Sequence, residues 1–286
     1  MISRRSFIKN ISLCSLLIAT GNTKDGLAYI SPEYYTNNEW PEHYNPVHIC
    51  VVNVGEIGLQ VGRNLPKGVC PFPYSHGSNN VIQFNPMVMG FSALLDQMHV
   101  VFLVGSFHDK DFWIARELVL ESGAELVITI TPNEFNSIFE APAIPGLKES
   151  IISLPKNGFI LSAANTINDV SSLLLFPIII GIDLADIRDV FKNSYGSAFS
   201  IESSLKNSVE ASKRLVQMNT ASINWANRLH AILSYTTLDC TLEEIMSIGD
   251  SIHLACNNDA ELIWGCSDNK HLTTRFRLTV LPVMGQ

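Results

Sequence analysis

Apolar residues in this chain gather in short dense runs, and the spacing of those runs carries most of the reading. Residues 47–54 form a β-branched apolar run that stops at Gly55. A run with no polar alternation reads as a strand buried on both faces, and a helix is expected to begin near Gly58. Residues 100–104 repeat the pattern and stop at Gly105-Ser106, and residues 126–130 repeat it before Thr131-Pro132. Between those two, residues 114–120 have helical spacing and end at Gly123, which suits a C-terminal cap. Strand alternating with helix in this way predicts a doubly wound parallel sheet.

The last third has another texture. Residues 208–218 predict a helix and residues 231–235 a strand, and Thr241-Leu242-Glu243-Glu244 opens a further helix with a capping box. Residues 261–266 and 275–283 predict strands with polar turns between them. A smaller α+β domain is the expectation. The apolar run at 173–182 falls far short of the roughly 18 residues a membrane helix needs, and reads as buried core.

Composition narrows the class. The chain has 286 residues, of which 47% are hydrophobic and 16% charged, which fits a globular α/β core. The net charge of −8 and the lack of any basic stripe argue against a nucleic-acid partner. Six cysteines (Cys14, Cys50, Cys70, Cys240, Cys256 and Cys266) show neither C-x-x-C pairing nor regular spacing. They make no zinc site or disulfide framework. His48 and Cys50 are spaced as half a metal site, or as a strand-edge histidine and a buried thiol; no metal is expected.

The start of the chain reads as an address. Ser3-Arg4-Arg5-Ser6-Phe7-Ile8-Lys9, followed by an apolar run at 11–19, resembles a twin-arginine export signal carried by Arg4, Arg5, Phe7 and Lys9. The other reading is an amphipathic N-terminus with two chance arginines. Residues 1–28 are taken as the signal, with cleavage after Ala28, and the Pro-dotted residues 29–46 as an irregular lead-in. Export, periplasmic or beyond, is the expectation; the alternative is a cytoplasmic protein. Membrane attachment would come only through an uncleaved signal.

The C-terminal order of elements resembles the FtsZ/tubulin family. Leu238-Asp239-Cys240, the Thr-Leu-Glu-Glu helix, Asp259-Ala260 followed by a strand ending at Gly265, and Arg275-Phe276-Arg277-Leu278-Thr279-Val280 occur in the order of the closing part of FtsZ. Residues 177–190 (Pro-Ile-Ile-Ile-Gly-Ile-Asp-Leu-Ala-Asp-Ile-Arg-Asp-Val) resemble that family's synergy loop. The resemblance implies a tubulin/FtsZ-like α/β fold: a Rossmann-like parallel-sheet domain and a smaller C-terminal α+β domain joined by a central helix. The implied boundaries are 47–165 for a degenerate nucleotide-binding-type domain, 166–190 for the central helix and synergy-loop segment, and 191–286 for the C-terminal domain.

It also implies GTP and Mg²⁺, against which the loops can be read. Backbone N–H groups approach phosphates closely only where glycine stands. The first loop, Asn53-Val54-Gly55-Glu56-Ile57-Gly58, keeps Gly55 and Gly58 but adds a carboxylate and bulk. The second, Gly105-Ser106-Phe107-His108-Asp109-Lys110-Asp111-Phe112-Trp113, keeps only Gly105 of a glycine tract, with Ser106 beside it as a candidate nucleotide contact, and carries acids and three aromatics that would fill a triphosphate's place. Lys110 is a candidate phosphate contact or a solvated loop lysine. The guanine-reading stretch is missing, with Asn165 and Asn168 as the remaining candidates. Asp183 and Asp186 match the family's two synergy-loop acids, which act at the neighbouring subunit's nucleotide; Asp-x-x-Asp is equally a helix N-cap with an acid in the first turn. The sequence stops at Gln286, so the family's C-terminal recruitment peptide is not expected.

The leading expectation is a non-catalytic FtsZ-like scaffold, needing no cofactor, that assembles with itself or with an FtsZ-family partner. One alternative is an active GTPase forming filaments. The other is an exported protein binding a small apolar ligand in the old cleft through Phe107, Phe112 and Trp113.

Overall fold

The computed structural model describes residues 47–66, 71–72, 75–79, 81–86, 91, 95–133, 145–175, 178–180, 182–236, 241–269, 272 and 274–285. The signal residues Arg4, Arg5, Phe7 and Lys9 and the lead-in lie outside them.

From Ile49 the chain runs β1 (Ile49–Asn53), α1 (Gly55–Asn64), a hairpin β2 (Pro71–Phe72) and β3 (Ser75–Asn79), then β4 (Val81–Gln83), β5 (Val100–Val104), α2 (Lys110–Glu121), β6 (Leu126–Pro132) and β7 (Glu149–Leu154). Strands β4, β1, β5, β6 and β7 lie side by side in that order, all parallel. Every residue of β1, β5, β6 and β7 is buried, which explains the unbroken apolar runs in the sequence. Alternate side chains go to opposite faces. Ile49, Val51, Phe102 and Ile128 pack toward Val61 of α1, whereas Cys50, Val52, Leu103 and Val127 pack toward Phe112, Ala115 and Val119 of α2.

The chain continues through α3 (Phe159–Leu175), β8 (Ile178–Ile180), α4 (Leu184–Phe191), β9 (Ser194–Gly196), β10 (Phe199–Ser203), α5 (Ser208–Met218), α6 (Thr220–Trp225), β11 (Arg228–Tyr235), α7 (Leu242–Ala255), β12 (Glu261–Asp268) and β13 (Phe276–Gly285). The long β13 runs antiparallel to β11, and its other edge pairs first with β10 and then with β9. Strand β12 lies parallel to β11, and β8 closes that edge. Strand β9 pairs parallel with β7 and antiparallel with β13, so both textures of the sequence share one sheet, eleven-stranded among the described residues.

Several boundaries differ from the sequence expectation. The central helix begins at Phe159, not near 166: Gly158 adopts φ 78° and its carbonyl accepts from Ser162 N at 3.0 Å, which closes the turn and opens the helix. Helix α1 begins at Gly55 rather than near Gly58. Helix α2 begins at Lys110 rather than 114, because Asp109 caps it.

Every residue of α3 from Thr166 to Leu175 is buried. One of them is Asp169, whose carboxylate is held by Arg277 Nη1 at 3.1 Å, Thr279 Oγ1 at 2.6 Å and Ser234 Oγ at 3.3 Å. Arg277 Nε also donates to Glu202 Oε1 at 2.9 Å. A buried carboxylate is tolerated only with such partners. Burial pushes its carboxyl above the usual range, and the guanidinium opposes that shift.

Candidate functional site

In an open parallel sheet, ligands sit outside the carboxyl ends of the strands, where the following helices begin. Here that edge carries Gly55 after β1 and Gly105 after β5. Gly55 has φ 64°, a conformation that L side chains rarely adopt. The residue before it, Val54, gives α1 no side-chain cap. Asp109 caps α2, its Oδ1 accepting from Asp111 N at 3.0 Å. The other oxygen of the same carboxylate comes up against Gly55, so closely that a Cβ there would collide with Asp109 Oδ2.

Gly105 is also explained from inside. A Cβ on it would lie 2.5 Å from Phe112 Cδ2 and 3.1 Å from Val54 Cβ. Phe112 is fully buried and Phe107 nearly so, their ring centroids 5.0 Å apart and edge to face. Trp113 leans on Phe107 at 5.0 Å, and its Nε1 donates to Phe107 O at 2.9 Å. Arg116 lies 5.8 Å from the Trp113 ring centroid and forks onto Glu149, Nε to Oε1 at 2.9 Å and Nη2 to Oε2 at 2.6 Å. Glu149 is wholly buried, and Thr129 Oγ1 and Gly146 N donate to it as well. The loop of aromatics is thereby braced through the domain. This corrects the expectation that Phe107, Phe112 and Trp113 would together line a ligand cleft: two of them belong to the core, and only Trp113, 42% exposed, meets solvent.

Ser106 Oγ accepts from His108 N at 3.1 Å, a turn contact. Gly58 faces the sheet: a Cβ there would lie 2.7 Å from Val104 O and 3.0 Å from Asn53 Cα. Its smallness serves helix–strand approach. Lys110 is exposed. Asn165 and Asn168 both fall inside α3, where Asn168 is buried and its Oδ1 has no hydrogen-bond partner among the described residues.

Asp183 and Asp186 stand elsewhere. Asp183 Oδ1 accepts from Asp186 N at 2.8 Å and Asp186 Oδ2 accepts from Asp183 N at 3.2 Å, a complete capping box at the start of α4. Ile182, next to Asp183, packs against Gly265 of β12. In the sheet β12 is seven strand spacings from β1, on the order of 30 Å at about 4.8 Å per strand. One chain therefore does not bring these acids to Gly55, Gly58, Gly105 and Ser106. The half metal site is likewise apart: Cys50 is buried in the core, while His48 pairs with His99 through its backbone N–H, which donates to His99 Nδ1 at 2.8 Å. Among the described residues no cluster of three metal-ligating side chains occurs. A shallow open depression of about 510 Å³ lies on the exposed face of α7, lined by Glu243, Met246, Ser247 and Asp250.

What the sequence hid was the second half of Asp109. The sequence offered Asp109 only as an acid unfavourable to phosphate; its capping of α2 shows in the structure, and its approach to Gly55 needs β1 and β5 to be neighbours.

No protein-family model and no curated protein sequence matches the chain significantly. Solved structures do match. A structure titled as an empty FtsZ dimer from M. jannaschii superimposes with a TM-score of 0.58 at 15% identity, covering 89% of this chain and 92% of that one. TubZ from GDP-form protofilaments of Bacillus thuringiensis serovar israelensis gives a TM-score of 0.48 at 10% identity, covering 82% and 86%. The order of strands and helices built up above, from β1 to β13, is thus an FtsZ/tubulin-like fold.

Proposed function

We propose that this chain is an FtsZ/tubulin-like scaffold that does not turn over GTP and that acts by associating with copies of itself or with another protein of the same fold. The carrying observation is the Phe112 ring against Gly105. A polyphosphate needs a glycine-lined cradle of free N–H groups with little negative charge near it. Phe112 packs against Gly105 after β5, Asp109 stands beside Gly55 after β1, and Glu56 and Asp111 add carboxylates to the first turns of α1 and α2. The residues present do not fit a nucleoside triphosphate. Self-association is proposed because the FtsZ neighbour was solved as a dimer. We place the protein outside the cytoplasm on the strength of the Arg4-Arg5 start; fractionation of cells carrying the Arg4→Lys, Arg5→Lys pair tests this, and a wild type wholly cytoplasmic and indifferent to the change overturns it.

The test of function is a calorimetric titration with GTP and Mg²⁺ beside sedimentation velocity without nucleotide. No saturable heat and concentration-dependent association are expected. Saturable GTP binding restores the GTPase reading. A monomer at every concentration removes the scaffold.

A further inference from the structure

One carboxylate caps α2 and stands beside the first residue of α1. Asp109 Oδ1 accepts from Asp111 N at 3.0 Å and caps α2, while Oδ2 stands against Gly55, the first residue of α1. A helix start carries roughly half a positive charge on its unpaired N–H groups, and α1 receives no side-chain cap from the residue before it. The remaining charges nearby do not take this place. Glu56 Oε1 accepts from Gln60 Nε2 at 2.9 Å along α1's own surface, and Lys110 and Asp111 are exposed.

We infer that Asp109 is a built-in anion: its carboxylate stands where the start of α1 would receive a phosphate group, and closes that place to phosphate and pyrophosphate from within. The inference rests on the reading that the chain does not use GTP, and supplies its cause. It also accounts for Gly55 in a loop that carries Glu56 and Ile57 beside it. Gly55 is needed for φ 64° and for the approach of Asp109, with no external ligand required.

The competing description makes Asp109 a helix cap and nothing more. Asn and Ser cap about as well as Asp, so Asp109→Asn keeps cap and shape without the charge, and Asp109→Ser keeps the cap without the reach to Gly55. Melting is followed for wild type and both variants in inorganic phosphate or pyrophosphate against chloride of equal ionic strength. Both variants are expected to melt lower, by about 2–4 °C per kcal/mol lost, and to recover with either anion, while wild type does not respond. Variants melting like wild type and ignoring phosphate overturn the inference. A saturable phosphate response of the wild type overturns it as well, and needs no variant to fold. If wild type gives heat with GTP, the functional reading itself fails. If it gives none and the variants still behave as wild type, only the role of Asp109 falls.

Discussion

Arg277 and Asp169, 108 positions apart in the chain, meet at 3.1 Å with side chains only 5% and 0% exposed. The pair fixes the buried half of α3 on β13. Removing one member leaves the other charged and unpaired in a place water does not reach. Arg277→Met is expected to cost about 3–5 kcal/mol, and the double change Arg277→Met, Asp169→Leu to return most of that loss. Glu202, 29% exposed, can turn to solvent when Arg277 is removed. Urea unfolding measures both variants; a single variant within about 1 kcal/mol of wild type contradicts the account.

His230 makes the fold acid-sensitive. It is fully buried against Phe191, ring centroids 5.7 Å apart, and neither ring nitrogen has a hydrogen-bond partner among the described residues. Burial lowers its pKa from 6.5 to about 3. Below pH 6.5 the unfolded chain takes up a proton that the folded chain refuses, so stability is full above that pH and is lost as pH falls toward 3. At pH 5 the loss is about 2 kcal/mol. His230→Phe is expected to flatten that part of the profile. Denaturant melts of wild type and variant between pH 7 and pH 5 decide it, and parallel profiles count against it.

At the head of α4, Asp183→Ala is expected to cost about 1 kcal/mol through the lost cap, and Asp183→Asn a few tenths. Purified wild type is expected to release no phosphate from GTP. Turnover in wild type that disappears in Asp183→Ala would show the acids acting on a neighbouring copy.

Gly58 separates a packing role from a binding one. Gly58→Ala forces a methyl to 2.7 Å from Val104 O, an overpacking worth about 1–3 kcal/mol. The expected outcome is a lower melting temperature with self-association unchanged at a temperature where the variant remains folded. An unchanged melt means that α1 can lift off the sheet there.

Much of the scaffold was legible from the sequence because buried parallel strands write themselves as dense apolar runs. Residues 100–104 coincide with β5, residues 208–218 with α5, and Thr241 and Glu244 form the capping box they spell. The unread elements lack that signal. Strand β9 is Ser-Tyr-Gly, three residues defined by their neighbours on both sides, and β10 is a half-buried edge partner of β13. The candidate site was legible residue by residue and opaque as an arrangement. Gly55 announces a turn and Asp109 a carboxylate unfavourable to phosphate; that they touch follows from sheet order. The aromatics after Gly105 could be read as surface or as core, and Phe112 is buried in the core.

The bridging strand has a mechanical meaning. Strand β9 holds β7 by three residue pairs and β13 by three, whereas β11 and β13 share eight. A pull across the strands concentrates its shear on that short span, which is the seam of the sheet. Close packing stiffens it: a Cβ on Gly196 would collide with Pro282 O, and Ser194 Oγ donates to Ser150 Oγ at 3.0 Å across the joint. Beneath it one apolar cluster runs unbroken from Ile152 and Leu154 through Ile187 and Phe191 to Leu281 and Val283. Strain arriving at either half of the molecule is carried to the other through this splice, with α4 lying over it as a strap.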